Sequence, residues 1–247
     1  TNKIIEEHVR VEDGHAMVHG NEVIQGVPGT GSRIDMYFED PAGSKTGKLF
    51  PTGQKKEVFD VLGYGPAEVT VLDCSNPMVF IKASDLGIKG SELTELNQNK
   101  DVMEHIERIR GIAAVKCGFV EKWEDARTKS TSAPKVSIVS APQDYINMDG
   151  NEVKADTMDL CCRAISVGAL HKAYPMTVAV GTGAAARIPG TIVNEIVKPA
   201  PDQDIIRLGH ASGVTEVDVK MGGEKVIKGG VTRTARRIMD GWVYVRD

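Results

Sequence analysis

Met158-Asp159-Leu160-Cys161-Cys162-Arg163-Ala164-Ile165-Ser166-Val167-Gly168-Ala169-Leu170 is the most apolar helix candidate in the chain, and its reading decides the fold. Leu160, Cys161, Ala164, Ile165, Val167, Gly168 and Leu170 leave few polar positions. A helix apolar on nearly every side is buried nearly all round. Asp156 or Thr157 supplies an N-cap, and Asp159 follows Asp156 at capping-box spacing. The free N–H groups of such a start suit a carboxylate, although an acidic residue in the first turn opposes one. Met176 to Ala186 reads as a second, shorter helix that stops before Pro189.

Outward from this stretch, strands dominate. His8–Glu12 and Ala16–Val18 flank the turn pair Asp13-Gly14 and predict a hairpin. Arg33–Phe38 alternates as a strand, and a Gly- and Pro-punctuated loop, Asp40–Gly47, follows it. Val69–Leu72, Met78–Ile81 and Lys135–Val139 read as strands, as do Gly213–Val219 and Glu224–Lys228 around Gly222-Gly223, and finally Trp242–Val245. Ser91 to Val115 reads as a helix with Ser91 as N-cap, because Val102, Ile106, Ile109, Ile112 and Ala113 share one face. Strands outnumber helices and hairpins recur, so the class is α+β.

With 247 residues, 41% of them hydrophobic and 26% charged, the chain can build its own core. A net charge of -4, with no basic run beyond Arg233, Arg236 and Arg237, argues against nucleic acid as a partner. No apolar run approaches the roughly 20 residues of a membrane helix. Four cysteines without metal spacing, two of them adjacent (Cys161 and Cys162), fit reduced thiols, and the expected location is the cytoplasm. No initiating Met is present: the chain is either processed or begins inside its gene product.

Candidate chemistry is spread over short motifs. Asn76-Pro77 places an amide with two donors and an acceptor on extended backbone, which suits a carboxylate; a self-satisfied turn is the structural alternative. Gly209-His210-Ala211-Ser212-Gly213 lets backbone approach a ligand closely, with His210 able to donate or to move a proton; here the alternative is a tight turn. Arg233 and Arg236 are potential bidentate carboxylate anchors, with surface ion pairs as the commoner fate. His171 reads as a helix C-terminal residue, and Cys74 as a buried strand-end thiol rather than a nucleophile. Gly181-Thr182-Gly183 lacks the strand–turn–helix context of a phosphate loop.

An ordered series of segments then adds a resemblance. Asp40-Pro41-Ala42-Gly43, Phe50-Pro51-Thr52-Gly53, Asn76-Pro77, Ser84–Gly87, Ala141–Tyr145, Asp159-Leu160, Ser166–His171, Ile188–Thr191, Gly209–Gly213 and Arg233–Arg236 together resemble the PrpF-like isomerases. That group covers 2-methylaconitate, 3-methylitaconate and 4-oxalomesaconate isomerases. The resemblance implies the diaminopimelate epimerase fold, with two similar domains that each wrap a sheet round a central helix, here Met158–Leu170. It places residues 1–45, completed by 238–247, in an incomplete first domain and 46–237 in the second. It also implies cofactor-independent proton transfer on a small unsaturated di- or tricarboxylic acid, with no metal. Asn76, Pro77, His210, Ser212, Gly213 and Arg233 are the expected substrate-binding residues, and the catalytic Lys and Cys are expected upstream of Thr1. A homo-oligomer is the default assembly. An amino-acid racemase or epimerase, or a non-catalytic remnant of the fold, are the alternatives; the first needs a pair of cleft cysteines.

Overall fold

The computed structural model describes residues 3–246. Its strands are β1 (Ile5–Val9), β2 (Val11–Glu12), β3 (His15–Ala16), β4 (Ser32–Glu39), β5 (Glu57–Val61), β6 (Gly65–Cys74), β7 (Asn76–Lys82), β8 (Lys135–Ser140), β9 (Tyr145–Ile146), β10 (Glu152–Val153), β11 (Leu160–Ser166), β12 (Ala169–Leu170), β13 (Ile205–His210), β14 (Gly213–Gly222) and β15 (Lys225–Ala235). The helices are α1 (Lys100–Lys116), α2 (Ala126–Lys129), α3 (Met176–Arg187) and α4 (Ile192–Val197). One sheet runs in the order β1-β4-β15-β14-β13-β11-β8-β7-β6-β5, with β12 folded back on β11. β4 pairs with β15 along its whole length. The class is α+β.

The central helix is α3, not Met158–Leu170. Every residue from Val178 to Ala186 is buried. Around α3 close Leu72 and Cys74 of β6, Met78 and Phe80 of β7, Val139 of β8, Leu160, Cys162 and Ala164 of β11, Ile206 and Leu208 of β13, and Val217 and Val219 of β14. Residues 160–166 instead form a strand in the middle of the sheet, running parallel to β13 and antiparallel to β8. Its other face is covered too: Cys161 packs with Tyr145 and Met158, and Ile165 joins the core under α1. A strand covered on both faces has no alternation to show, so its composition mimics a buried helix. The expected capping box dissolves with that helix. Asp159 instead accepts from the Arg207 backbone N–H at 2.8 Å and from Arg207 Nη2 at 2.7 Å.

Arg163 is the one charged residue inside this buried strand, and it is 1% exposed. Its guanidinium donates to the carbonyls of Glu92 (2.7 Å), Cys162 (2.8 Å) and Ser91 (2.9 Å) and lies 4.7 Å from the Tyr145 ring centroid. Donors that each find a carbonyl, together with the aromatic face, make such burial tolerable. Ser91 is therefore a receiver for Arg163 and not a helix cap. Helix α1 starts later, where the Asn99 side chain accepts from the Val102 N–H at 3.2 Å. Its buried stripe of Val102, Ile106, Ile109 and Ala113 is the expected one, and it covers the outer face of β6, β7 and β8.

The remaining hairpins follow the sequence reading, with β14 and β15 longer than expected. Trp242–Val245 forms no strand; Trp242 and Tyr244 are exposed there. No described helix is long and apolar enough to cross a membrane.

The sheet can close on α3 only because the helix is thin where they meet. A Cβ on Gly183 would overlap the Val217 and Val219 side chains, and one on Gly229 of β15 would lie 2.6 Å from Val180 Cγ1. β-branched neighbours cannot swing aside. Gly183→Val is therefore expected to destabilise the protein by about 1–3 kcal/mol, the usual cost of overpacking a core. A lowered urea midpoint with unchanged m-value would show it; an unchanged midpoint would contradict the close approach.

Candidate active site

Polar residues gather where the inner sheet face meets the first turn of α3. The helix starts after Pro175 with no side chain capping it. Its first amides therefore point out of the helix without a side-chain acceptor, on the positive end of the helix dipole. Two turns flank this start. On one flank, β6 and β7 are joined through Ser75 alone, at φ 63°, and Ser75 Oγ donates to the Thr177 carbonyl at 3.2 Å. Asn76 follows, 8% exposed, its amide donating weakly to the Pro77 carbonyl at 3.4 Å. On the other flank, His210 and Gly213 close the β13–β14 hairpin, and Ser212 Oγ donates to the Lys172 carbonyl at 2.7 Å. The structure thus ties the turns that carry Asn76 and Ser212 to the segment Lys172–Thr177 around one helix start, although they lie far apart in sequence.

The hairpin is held from below and above. Tyr145 Oη donates to the His210 carbonyl (2.6 Å) and also contacts the Gly213 carbonyl (3.0 Å), while the Asn147 amide donates to the Ser212 carbonyl at 3.3 Å. Gly213 has φ 138°, and a Cβ there would lie 2.7 Å from Gln25 Oε1. Only glycine serves both that conformation and the approach of the Gln25 loop.

His210 is locked rather than free. Nδ1 accepts the Ser212 N–H at 3.3 Å, so Nε2 carries the proton and donates to Thr215 Oγ1 at 2.8 Å. Burial first, then the charges of Arg163, Arg233 and His171, lower its pKa from 6.5 to about 3. The ring is neutral at physiological pH and is stacked 6.3 Å from Tyr174. Tyr174 Oη in turn bonds Ser137 Oγ (2.6 Å) and Thr182 Oγ1 (2.8 Å), a buried chain beneath the helix start.

Arg233 is partly buried on β15, where Val231, two residues earlier, joins the α3 core. Its Nη1 donates to the Thr232 carbonyl at 2.9 Å, and no carboxylate among the described residues offsets the burial that lowers its pKa. It borders a cavity of about 250 Å³ with Gln25, Thr215 and Thr232. Arg236 is exposed and takes no part. His171 is exposed and precedes α3, instead of ending a helix. Cys74 is buried at the end of β6, as expected of a strand-end thiol. Burial raises the pKa of Cys74, and equally that of Cys162, which keeps both thiols protonated and unreactive. Cys161 and Cys162 sit in a strand and not in a helix. Among the described residues no His, Cys, Asp and Glu side chains group as metal ligands.

The sequence reading placed a helix from Met176, as observed, but gave its start no functional role and named neither Ser75 nor Tyr174. Pro175 ahead of a small-residue run was the available signal for a helix start.

Residues 1–246 match the family model described as PrpF protein. The chain belongs to the PrpF family. Similar relatives include 3-methylitaconate isomerase of Eubacterium barkeri, 41% identical over 99% of this chain and 65% of that protein. A 2-methyl-aconitate isomerase of Shewanella oneidensis is 35% identical over 98% of this chain and 63% of its own length. A solved structure of a methylitaconate-delta-isomerase superposes with a TM-score of 0.91 and 40% identity, over 99% of this chain and 64% of that one. The PrpF chain described here therefore spans just under two thirds of the relatives it matches.

The lowered His210 pKa has a consequence for stability. Above pH 6.5 neither folded nor unfolded chain holds the proton, and between about 3 and 6.5 only the unfolded chain does. Stability should therefore fall as pH drops below 6.5, with His210 contributing up to about 1.4 kcal/mol per pH unit. Urea titrations from pH 7 to pH 5 should show a shallower slope for His210→Gln than for wild type. Equal slopes would mean that His210 takes up its proton in the folded state.

Proposed function

We propose that the protein acts as an isomerase, moving a proton and with it a carbon–carbon double bond on a small unsaturated di- or tricarboxylic acid of the 3-methylitaconate or 2-methylaconitate type. The observation that carries this reading is the Arg233 guanidinium, partly buried with no carboxylate partner among the described residues, on the strand face that packs on α3, a helix whose start no side chain caps. The names of the similar relatives supply the reaction class.

Removing a proton α or γ to a carboxylate builds enolate-like charge, and fixed donors lower that barrier most when they are already in place. Arg233, the first amides of α3, the Asn76 amide and the Ser212–Gly213 turn are the proposed donors. The His210 ring, with both nitrogens engaged, fixes the turn and moves no proton. The acid and the base are proposed to come from outside residues 1–247, in line with the longer relatives. We also propose that residues 1–45 and 238–247 serve a first unit and 46–237 a second, which would cover the exposed Trp242 and Tyr244. A homo-oligomer in the cytoplasm is the proposed setting.

Turnover is followed by ultraviolet absorbance of the conjugated product, using the natural gene product and methylitaconate or methylaconitate. Arg233→Met should lower kcat/KM by roughly 10–100-fold, the worth of one charged hydrogen bond. Unchanged kcat/KM would remove Arg233 from the site, and a wild-type protein inert on every such acid would refute the isomerase reading.

A further inference from the structure

Along β8 the side chains alternate. Val136 and Ile138 point into the core under α1, whereas Val139 joins the α3 core and Ser137 meets Tyr174. Lys135 shares the parity of Ser137 and Val139, so it leaves the first position of β8 on the α3 side. On β11 the same face carries Leu160, Cys162 and Ala164 and ends at Ser166, whose Oγ accepts from Lys135 Nζ at 2.6 Å. On β7 it carries Met78, the register partner of Lys135, and then Asn76 toward the same rim. Lys135 therefore stands on the inner face, at the Asn76 flank of the α3 start.

Its electrostatic surroundings are unusual for a lysine. Burial, and then the nearby Lys45 ammonium, lower its pKa, with no carboxylate in opposition. Asp73 of β6, which the Lys45 loop wraps, is already committed. Asp73 accepts from Ser44 Oγ, the Lys45 N–H, the Thr46 N–H and Thr46 Oγ1, at 2.5–2.8 Å. That ring of donors pins the loop that carries Lys45. A partly buried ammonium whose partner is a hydroxyl and not a carboxylate is unfavourable unless an anion joins it.

We infer that Lys135, oriented by Ser166, binds a second carboxylate of the substrate on the Asn76 side, complementing Arg233 on the His210 side. This rests on the isomerase reading above and adds a specificity rule to it: the site selects acids with at least two carboxylates. Lys135 acts by charge and position and is not assigned the proton transfer.

The test uses the natural gene product with a dicarboxylic substrate and with an analogue in which one carboxylate is replaced by methyl. For the dicarboxylate, Lys135→Met should raise KM roughly 10–100-fold with a much smaller change in kcat, and Lys135→Arg should restore much of the loss. For the monoacid the wild type and Lys135→Met should be nearly equal. A KM within twofold of wild type, or the same loss on both substrates, overturns the proposal. Should the wild type turn over no such acid, the isomerase reading alone falls, and calorimetric titration with succinate decides for Lys135. Saturable binding abolished in Lys135→Met supports the anion site; equal binding, or none to the wild type, overturns it.

Discussion

The structure depends on one constraint: a helix must fit inside a curled sheet without leaving a gap or a clash. Close packing at interior density allows no slack at such an enclosure. α3 meets it with Gly181, Gly183, Ala184, Ala185 and Ala186, and the sheet answers with Gly229 opposite Val180. The valines of β14 then fill the room that Gly183 leaves, and Met78 of β7 fills the room at Gly181. Because the helix is held on so many sides, its first turn has a fixed position relative to strand ends from distant parts of the sequence.

That fixed first turn explains the distribution of polar residues. The inner face is apolar along the body of α3 and becomes polar only at its start, where Asn76, Lys135, Ser166, His210, Thr215 and Arg233 project. The uncharged members are largely spoken for by neighbours: Thr215 and His210 by each other, Ser166 by Lys135. The two that keep a net charge without a carboxylate among the described residues are Arg233 and Lys135. Rigid, satisfied neighbours and a few uncompensated cations make a site organised before its ligand arrives.

Much of the scaffold was legible in the sequence, and the reasons for success and failure are physical. β14 and β15 show themselves through alternation and Gly222-Gly223; α1 shows its stripe because one face meets solvent. β11 hides because both faces are covered, and Arg163, the one residue that could have warned against a plain apolar element, satisfies itself on carbonyls. Misplacing the central helix also moved the expected anion-binding helix start from α3 to residue 158. The Gly209–Gly213 turn was visible through its glycines, but the state of His210 was not, since it depends on Thr215 and on burial. Lys135 was silent: a lysine at the start of a strand looks like any solvent-facing residue until the parity of β8 is known.

The parallel pairing of β11 with β13 also bears on how the chain assembles as it is made. α3 and α4 lie in the connection between these two strands, as a parallel pair requires. When α3 leaves the ribosome, β6, β7, β8 and β11 already exist, yet the wall formed by β13, β14 and β15 is still being synthesised. Until residue 235 has emerged, one side of an almost wholly apolar helix stands open to water. Such an intermediate invites aggregation, so residues 205–235 set the moment at which the nascent protein becomes safe from its own core.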